Sequence, residues 1–347
     1  MIRLGVVGAG QVAELASAAF ARRPDVELVG IADPARERAE ALARKFGAPA
    51  ARSSLEELLE VTALDAVYIA SPNVFHAPQA IRALESGKHV LLEKPFALSW
   101  EEARQVVDVA ERVGRTLTLS MNQRHADDTR ALRAWVASGA LGTPHHVRAR
   151  WLRRSGIPRL GSWFGRKSWA GGGVLMDVGV HLLDLAFHLL DDFQPLTVSG
   201  QLRSVLGPRG LGGGGWGRSE QLGGVFDVED FACVWLRFAG GASLALEVAW
   251  ATHQEEAERH DLEIVGSLGA ASSQPARWSR PDAEGLYTTS QLDVPEGTNN
   301  PYDHFIEHLH GRAPLVVTTA QALAVQRVLD AVYESAAAGR EIALSWP

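Results

Sequence analysis

The chain has 347 residues, 46% of them hydrophobic, which is enough to bury a sizeable core and long enough for about two domains. A net charge of -7, with no long run of Lys or Arg, argues against nucleic acid as the principal ligand. A single cysteine excludes an internal disulfide and a multi-cysteine metal site. The N-terminus passes directly into an apolar strand, and no apolar run is read as a membrane span, so a soluble, cytoplasmic protein is expected.

Mostly apolar runs at Arg3–Val7, Glu27–Ala32, Ala66–Ala70, Lys88–Leu92 and Thr116–Ser120 read as strands covered on both faces. Segments at helical period separate them: Gln11–Arg22, Ala35–Phe46, Pro78–Ser86 and Trp100–Val113. The last is opened by Ser99 and Glu102 in capping-box spacing. Strict alternation of strand and helix predicts the α/β class, with a doubly wound parallel sheet of Rossmann type over residues 1–122.

After Asn122 the pattern changes. A helix at Asp127–Ser138 and a strand at Pro144–Leu152 lead through a glycine-rich entry to a helix at Met176–Leu190. Longer strands follow at Leu196–Leu206, Val225–Phe238, Ala242–Trp250 and His260–Val265, with a hairpin turn at Ala239-Gly240-Gly241. Helices at Pro301–His310 and Thr319–Ala338 close the chain. Residues 123–347 are therefore expected to form an α+β domain with an open, largely antiparallel sheet and helices on one face. Trp235, Leu246 and Trp250 are candidates for covering the other face in a subunit contact, and Cys233 reads as a small buried filler of its strand. The run Gly210–Gly217 has no helix after it and reads as a mobile surface loop.

Gly8-Ala9-Gly10-Gln11-Val12-Ala13 follows the first strand and opens the first helix, the Gly-x-Gly-x-x-Ala form of a dinucleotide phosphate turn. Gly8 and Gly10 permit the turn and the close approach of a pyrophosphate, while Gln11 and Val12 begin a helix whose N–H groups face it. Asp33 ends the second strand, where a carboxylate accepts the adenosine ribose hydroxyls and repels a 2′-phosphate. NAD is favoured over NADP, with Arg36 as the nearby guanidinium that keeps NADP open. Ser71, Asn73 and His76 lie at the end of another parallel strand, beside the expected crevice, and are candidate cofactor contacts; for His76 a helix-start role is equally open.

Glu93-Lys94-Pro95 sits where the strand Lys88–Leu92 runs out, on the edge where open α/β sheets bind ligands. Asp177 and His181 are four positions apart and point from one helical face, and Gly171-Gly172-Gly173 before them lets backbone approach a ligand. A lysine, an aspartate and a histidine meeting beside a dinucleotide are what hydride chemistry at a carbinol carbon needs. The Asp177–His181 spacing also suits a metal pair, but no third ligand is placed nearby in sequence and no metal is expected. A buried histidine bonded to a carboxylate is the plainer alternative, with Asp184 and His188 continuing that face. His304, His308 and His310 read as solvated. Among ten tryptophans, Trp151, Trp163 and Trp169 are candidates for a stacking wall against a sugar ring.

Taken together, these motifs resemble the glucose–fructose oxidoreductase, inositol dehydrogenase and rhizopine-catabolism (GFO/IDH/MocA) family over essentially the whole length. The resemblance rests on Gly8-Ala9-Gly10, Ser71-Pro72-Asn73 with His76, Glu93-Lys94-Pro95, and Gly171-Gly172-Gly173 leading to Asp177, Gly179 and His181. It implies NAD(P)-dependent oxidation or reduction of a secondary alcohol on a sugar, cyclitol or related polyol, and dimers or tetramers formed through the open sheet face. Lys94, Asp177 and His181 become the catalytic group, and Glu93 joins the cofactor contacts or supports. Arg124, Trp151, Arg153, Trp163 and Lys167 fall where substrate contacts lie. A ligand sensor without catalysis, or an aldose–aldose oxidoreductase with tightly held cofactor, are the alternatives on the same fold. Which of His181 and Lys94 first takes the proton stays open.

Overall fold

A computed structural model describes residues 1–61, 63–216, 224–297 and 299–346. The chain begins with β1 (Ile2–Val7), α1 (Gln11–Ala21), β2 (Val26–Ala32), α2 (Arg36–Phe46), β3 (Ala51–Arg52) and α3 (Leu55–Leu59). It continues with β4 (Ala66–Ile69), α4 (His76–Glu85), β5 (His89–Leu92), α5 (Trp100–Val113) and β6 (Leu117–Leu119). Six strands form one parallel sheet in the order β3-β2-β1-β4-β5-β6. The order reverses between β1 and β4, so the crevice of a doubly wound sheet opens above the carboxyl ends of those two strands. Gly8 leaves β1 there, and Ser71 leaves β4.

Both faces of this sheet are buried, which is why its strands read as unbroken apolar runs. On one side Leu4, Val6, Leu28, Ile31 and Tyr68 pack with Ala13, Ala16 and Phe20 of α1. On the other, Val67, Ile69, Val90 and Leu92 pack with Ala80, Leu84, Val106 and Ala110 of α4 and α5. Ser99 Oγ accepts from Glu102 N–H as expected, but the Glu102 carboxylate reaches Leu98 N–H, one residue before the cap.

The second half contains α6 (Asp127–Ala137), β7 (Pro144–Arg153), β8 (Ile157–Pro158), α7 (Lys167–Ala170), a π-helical turn at Leu175–Gly179, α8 (Val180–Leu190) and β9 (Pro195–Arg203). Then come β10 (Gly213–Gly214), β11 (Phe231–Phe238), β12 (Ser243–Ala249), β13 (Glu258–Gly266), β14 (Ala270–Ser272), β15 (Arg277–Pro281) and β16 (Tyr287–Gln291). The elements α9 (Pro301–Leu309), α10 (Thr319–Ala338) and β17 (Ile342–Ala343) end the order. Nine strands make a mixed sheet, β16-β15-β14-β13-β7-β12-β11-β9-β17, antiparallel except at β7–β12. The ladder β14 to β16 is absent from the sequence reading, because strands of three to five residues carry little alternation. α9 turns back to the first sheet, where Phe305 and Ile306 share the core of Leu4 and Phe20.

Several expectations are corrected. The strand expected at Val225–Phe238 starts only at Phe231, because the residues before it serve other segments: Asp230 accepts from the N–H groups of Val205, Leu206 and Gly207. The same bonds turn the chain out of β9 at Arg203, before the expected Leu206. Leu246 and Trp250 are buried beneath the helices and do not face a subunit contact, whereas Trp235 is exposed on the open face. Cys233 alternates with Val234 and is likewise exposed. In the glycine run, Gly213 and Gly214 pair with Ile157 and Pro158, and Gly217 lies outside the described residues. The segment Lys167–Leu190 does have the length and apolarity of a membrane span, but it is mostly buried within the fold.

Candidate active site

The turn after β1 is shaped for an anionic ligand. Gly8 has φ +96°, and a Cβ there would lie 2.5 Å from the Ala70 carbonyl oxygen, so only glycine fits where β1 and β4 approach. At Gly10 a Cβ would meet nothing within 4 Å, which leaves open space over the N-terminus of α1. No side chain caps that helix end. Open space over an uncapped helix N-terminus is the environment a pyrophosphate requires, so the residues present fit a dinucleotide. Asp33, buried at the end of β2, accepts from Ala9 N–H and Ala35 N–H, each at 2.8 Å, and from the Arg38 guanidinium at 3.0 Å. The guanidinium beside this carboxylate is Arg38. Arg36, the expected neighbour, pairs with Glu40 on the helix surface.

Lys94 reaches across from the end of β5 to the helix of the second half. Its Nζ donates to Asp177 Oδ1 and to the Asp177 carbonyl oxygen, both at 2.8 Å. Asp177 sits in the π-helical turn Leu175–Gly179, and its second oxygen accepts from Trp250 Nε1–H at 2.8 Å. Both carboxylate oxygens are thus occupied by protein donors, and Asp177 orients Lys94, not the His181 ring. Lys94 and Asp177 side chains remain 16% and 13% exposed, and His181 8%, so the group sits at the floor of an opening. Burial alone would push the Asp177 carboxyl up; the Lys94 ammonium, its hydrogen bond and the Trp250 donor hold it below the usual carboxylate value. Burial, then the Lys94 charge, push His181 well below an ordinary histidine, against the opposing pull of Asp177. The imidazole is therefore neutral at pH 7. Its Nδ1 is buried with no partner among the described residues, leaving Nε2 as the nitrogen to meet a substrate hydroxyl.

Trp151 and Arg153 stand beside this group. The Trp151 ring lies 6.3 Å from His181 and stacks on His260 at 3.9 Å, with the Arg153 guanidinium 4.8 Å from its centre. Glu258 Oε1 accepts from both Trp151 Nε1–H and Arg153 Nε–H, making one clamped wall.

Other expected contacts are placed in the scaffold. Ser71 Oγ donates to Gln79, Asn73 Nδ2 donates to the Ala170 carbonyl, and His76 lies between the Pro95 and Ser71 carbonyl oxygens. Burial drives His76 to a pKa of about 4. Glu93 accepts from the Tyr68 hydroxyl at 2.6 Å in the interior, and burial pushes its carboxyl up. Arg124 is buried against Asp184, with further bonds to the Val316 carbonyl and Gln321, so it presents no donor to a sugar. That pairing also removes Asp184 from any role behind His181. Trp163 stacks on Phe164 at 3.8 Å, and the exposed Lys167 lines a groove of about 450 Å³ with Glu229 and Tyr333.

The glycine run has a different reason from the one expected. A Cβ on Gly172 would lie 1.8 Å from the Tyr333 hydroxyl, and on Gly173 1.9 Å from the Glu229 carbonyl oxygen. The close approach is made by the protein's own segments. Trp250, Glu229, Tyr333, Glu258 and His260 were missed as site residues because each arrives from a distant strand or helix, with no local pattern to mark it.

A dinucleotide turn whose crevice faces a Lys–Asp pair and a neutral histidine defines a dinucleotide-dependent oxidoreductase. Residues 2–121 match the oxidoreductase family with an NAD-binding Rossmann fold, and residues 129–272 match the GFO/IDH/MocA C-terminal domain. The chain belongs to the GFO/IDH/MocA family of oxidoreductases, as the sequence motifs imply. It is 32% identical to the D-glucoside 3-dehydrogenase of Escherichia coli (strain K12), covering 99% of this chain and 97% of that protein. It is 28% identical to the levoglucosan dehydrogenase of Pseudarthrobacter phenanthrenivorans, over 87% and 82% of the two chains. Among solved structures, GenD2 from gentamicin A biosynthesis, in complex with NAD, superposes with a TM-score of 0.81 at 26% identity, covering 99% of this chain and 97% of that one.

Proposed function

We propose that the chain is an NAD-dependent dehydrogenase that oxidises a ring secondary hydroxyl of a neutral glycoside, reversibly. The observation that carries this reading is the Lys94–Asp177 pair with neutral His181 one turn on, Lys94 leaving the same carboxyl edge of the parallel sheet as the Gly8–Gly10 turn. The full-length likeness to a D-glucoside 3-dehydrogenase supports a glucoside, with C3 as the first position to test. Pairing of Arg153 with Glu258 beside His181 supports an uncharged sugar, because that guanidinium is already neutralised.

Gly8, Gly10 and the first N–H groups of α1 would hold the pyrophosphate, and Asp33 the adenosine ribose, which favours NAD over NADP. When bound, the nicotinamide supplies the hydride acceptor. His181 takes the hydroxyl proton at Nε2; its depressed pKa keeps it in the accepting form at neutral pH. Lys94 stays directed at the developing alkoxide because Asp177 grips its ammonium from two atoms. Trp151, backed by His260 and Arg153, offers a flat face against the sugar ring. Dimers or tetramers formed over the open sheet face would cover the exposed Trp235, whose ring lies 5.6 Å from His146.

The test is an activity panel of glucosides, free aldoses and inositols with NAD and with NADP, followed by NADH absorbance. Turnover of a glucoside with NAD supports the reading. Binding of sugars without turnover of any of them would favour a sensor, and nucleotide retained through purification would favour a sugar–sugar oxidoreductase.

A further inference from the structure

The Lys94–Asp177 contact depends on where the π-helical turn begins, and that start is held by residues outside the crevice. Glu229 Oε1 accepts from Gly173 N–H at 2.9 Å, from Leu175 N–H at 3.0 Å and from the Tyr333 hydroxyl at 2.9 Å. The Glu229 carbonyl oxygen accepts from Val174 N–H at 3.0 Å. Three successive N–H groups at the head of the segment, which a helix leaves unsatisfied, are therefore met by one residue entering β11. No side chain of the segment itself caps it.

The fit leaves no slack. The Tyr333 hydroxyl from α10 and the Glu229 backbone occupy the space where Gly172 and Gly173 would carry Cβ atoms. Glu229 is almost wholly buried, and Asp177 lies two residues beyond its last N–H partner. A shift of this head carries the Asp177 carbonyl and carboxylate with it, away from Lys94 Nζ and Trp250 Nε1.

We propose that Glu229, braced by Tyr333, is a positioning residue for the oxidoreductase reaction: it fixes the head of the Leu175–Gly179 turn so that Asp177 holds Lys94 at the substrate hydroxyl. In this role Glu229 acts through Asp177 and Lys94 and needs no contact of its own with sugar or cofactor. This inference rests on the dehydrogenase reading above, and its test separates the two.

The experiment uses the full-length enzyme and the best glucoside of the panel, with wild type, Glu229→Leu, Glu229→Gln, Tyr333→Phe and Lys94→Ala side by side. Turnover, KM for sugar, NAD affinity by fluorescence, and the isotope effect from a sugar deuterated at the reacting carbon are measured. Misplacing the pair should lower kcat of Glu229→Leu by about 100-fold, with NAD affinity within about twofold and an isotope effect that rises as hydride transfer becomes rate-limiting. Glu229→Gln, whose amide oxygen still accepts from both N–H groups, recovers most of kcat. Should Glu229→Leu not fold, Tyr333→Phe carries the test, with a loss of about fivefold in kcat and the same rise in isotope effect. A folded Glu229→Leu, or in its absence a Tyr333→Phe, with wild-type kcat and isotope effect overturns the proposal. If that occurs while Lys94→Ala is inactive, only the positioning role fails; if Lys94→Ala is fully active, the dehydrogenase assignment itself fails.

Discussion

Lys94 Nζ meets Asp177 twice, at the carboxylate and at the main-chain carbonyl, both at 2.8 Å, although the two residues come from different sheets' helices and strands. A single ion pair leaves an ammonium free to swing, whereas two acceptors on one residue fix its direction. The consequence is that Asp177 acts on the lysine, and His181 works without a carboxylate bonded to its ring.

Trp250 shares that arrangement from the far side. Replacing it with phenylalanine removes the Nε1–H donor to Asp177 Oδ2 while keeping most of the buried ring. A lost hydrogen bond to a charged group should lower kcat about tenfold or more. Steady-state kinetics with a glucoside would show this with NAD affinity unchanged; an equal loss in NAD affinity would place Trp250 elsewhere in the function.

Arg124 belongs to the core and not to the sugar site. Its guanidinium is buried against Asp184, so Arg124→Met leaves an uncompensated carboxylate in the core and should cost about 3–5 kcal/mol of stability. Urea unfolding measures this. A variant that unfolds like wild type but has a greatly raised KM for sugar would return Arg124 to the substrate.

The proposed role of Asp33 in nucleotide preference is open to direct substitution. Asp33→Ala removes the ribose acceptor and the negative charge beside Arg38, so KM for NAD should rise about tenfold and the ratio of NAD to NADP efficiency should fall. Unchanged discrimination between the two nucleotides would contradict the role given to Asp33.

Buried histidines make the fold acid-sensitive. His76 titrates at about 4 and His188 at about 3, against 6.5 for an ordinary imidazole, and His181 is also depressed, each chiefly by burial. A depressed folded pKa gives stability that is present above pH 6.5 and lost as pH falls toward the folded values, because the unfolded chain takes up protons first. The conversion of about 1.4 kcal/mol per unit makes His76 alone worth roughly 3 kcal/mol between pH 6.5 and 4. The upward-shifted carboxyls of Glu93, Glu229 and Asp330 oppose this in the acid range. Urea midpoints across pH 4 to 7 should fall on the acid side, less steeply in His76→Gln; identical slopes for the two proteins would refute the His76 contribution.

What the sequence disclosed follows from where each signal is encoded. The parallel sheet was legible because burial on both faces leaves unbroken apolar runs, and the Gly8–Gly10 turn because its spacing is local. Lys94, Asp177 and His181 stand out in the sequence as candidates through their neighbours Pro95 and Gly179, and the structure brings Lys94 and Asp177 into contact. Tertiary partners were not. Nothing around Glu229 or Trp250 marks them as donors or acceptors for a helix that precedes them by many residues. The glycines at 172 and 173 looked like ligand space, yet they make room for Tyr333 and Glu229, a distinction that depends on which segment lies opposite. Arg124 fell among the substrate contacts through the family resemblance, whereas its partner Asp184 lies 60 positions further along the chain, and the ladder β14–β16 escaped notice because its strands are only three to five residues long.

The most direct test of the account is Lys94→Ala assayed with a glucoside and NAD, alongside NAD binding by fluorescence. Loss of the ammonium proposed to face the developing alkoxide should lower kcat about 100- to 1,000-fold with nucleotide affinity nearly intact. A Lys94→Ala enzyme that turns over at the wild-type rate would contradict it.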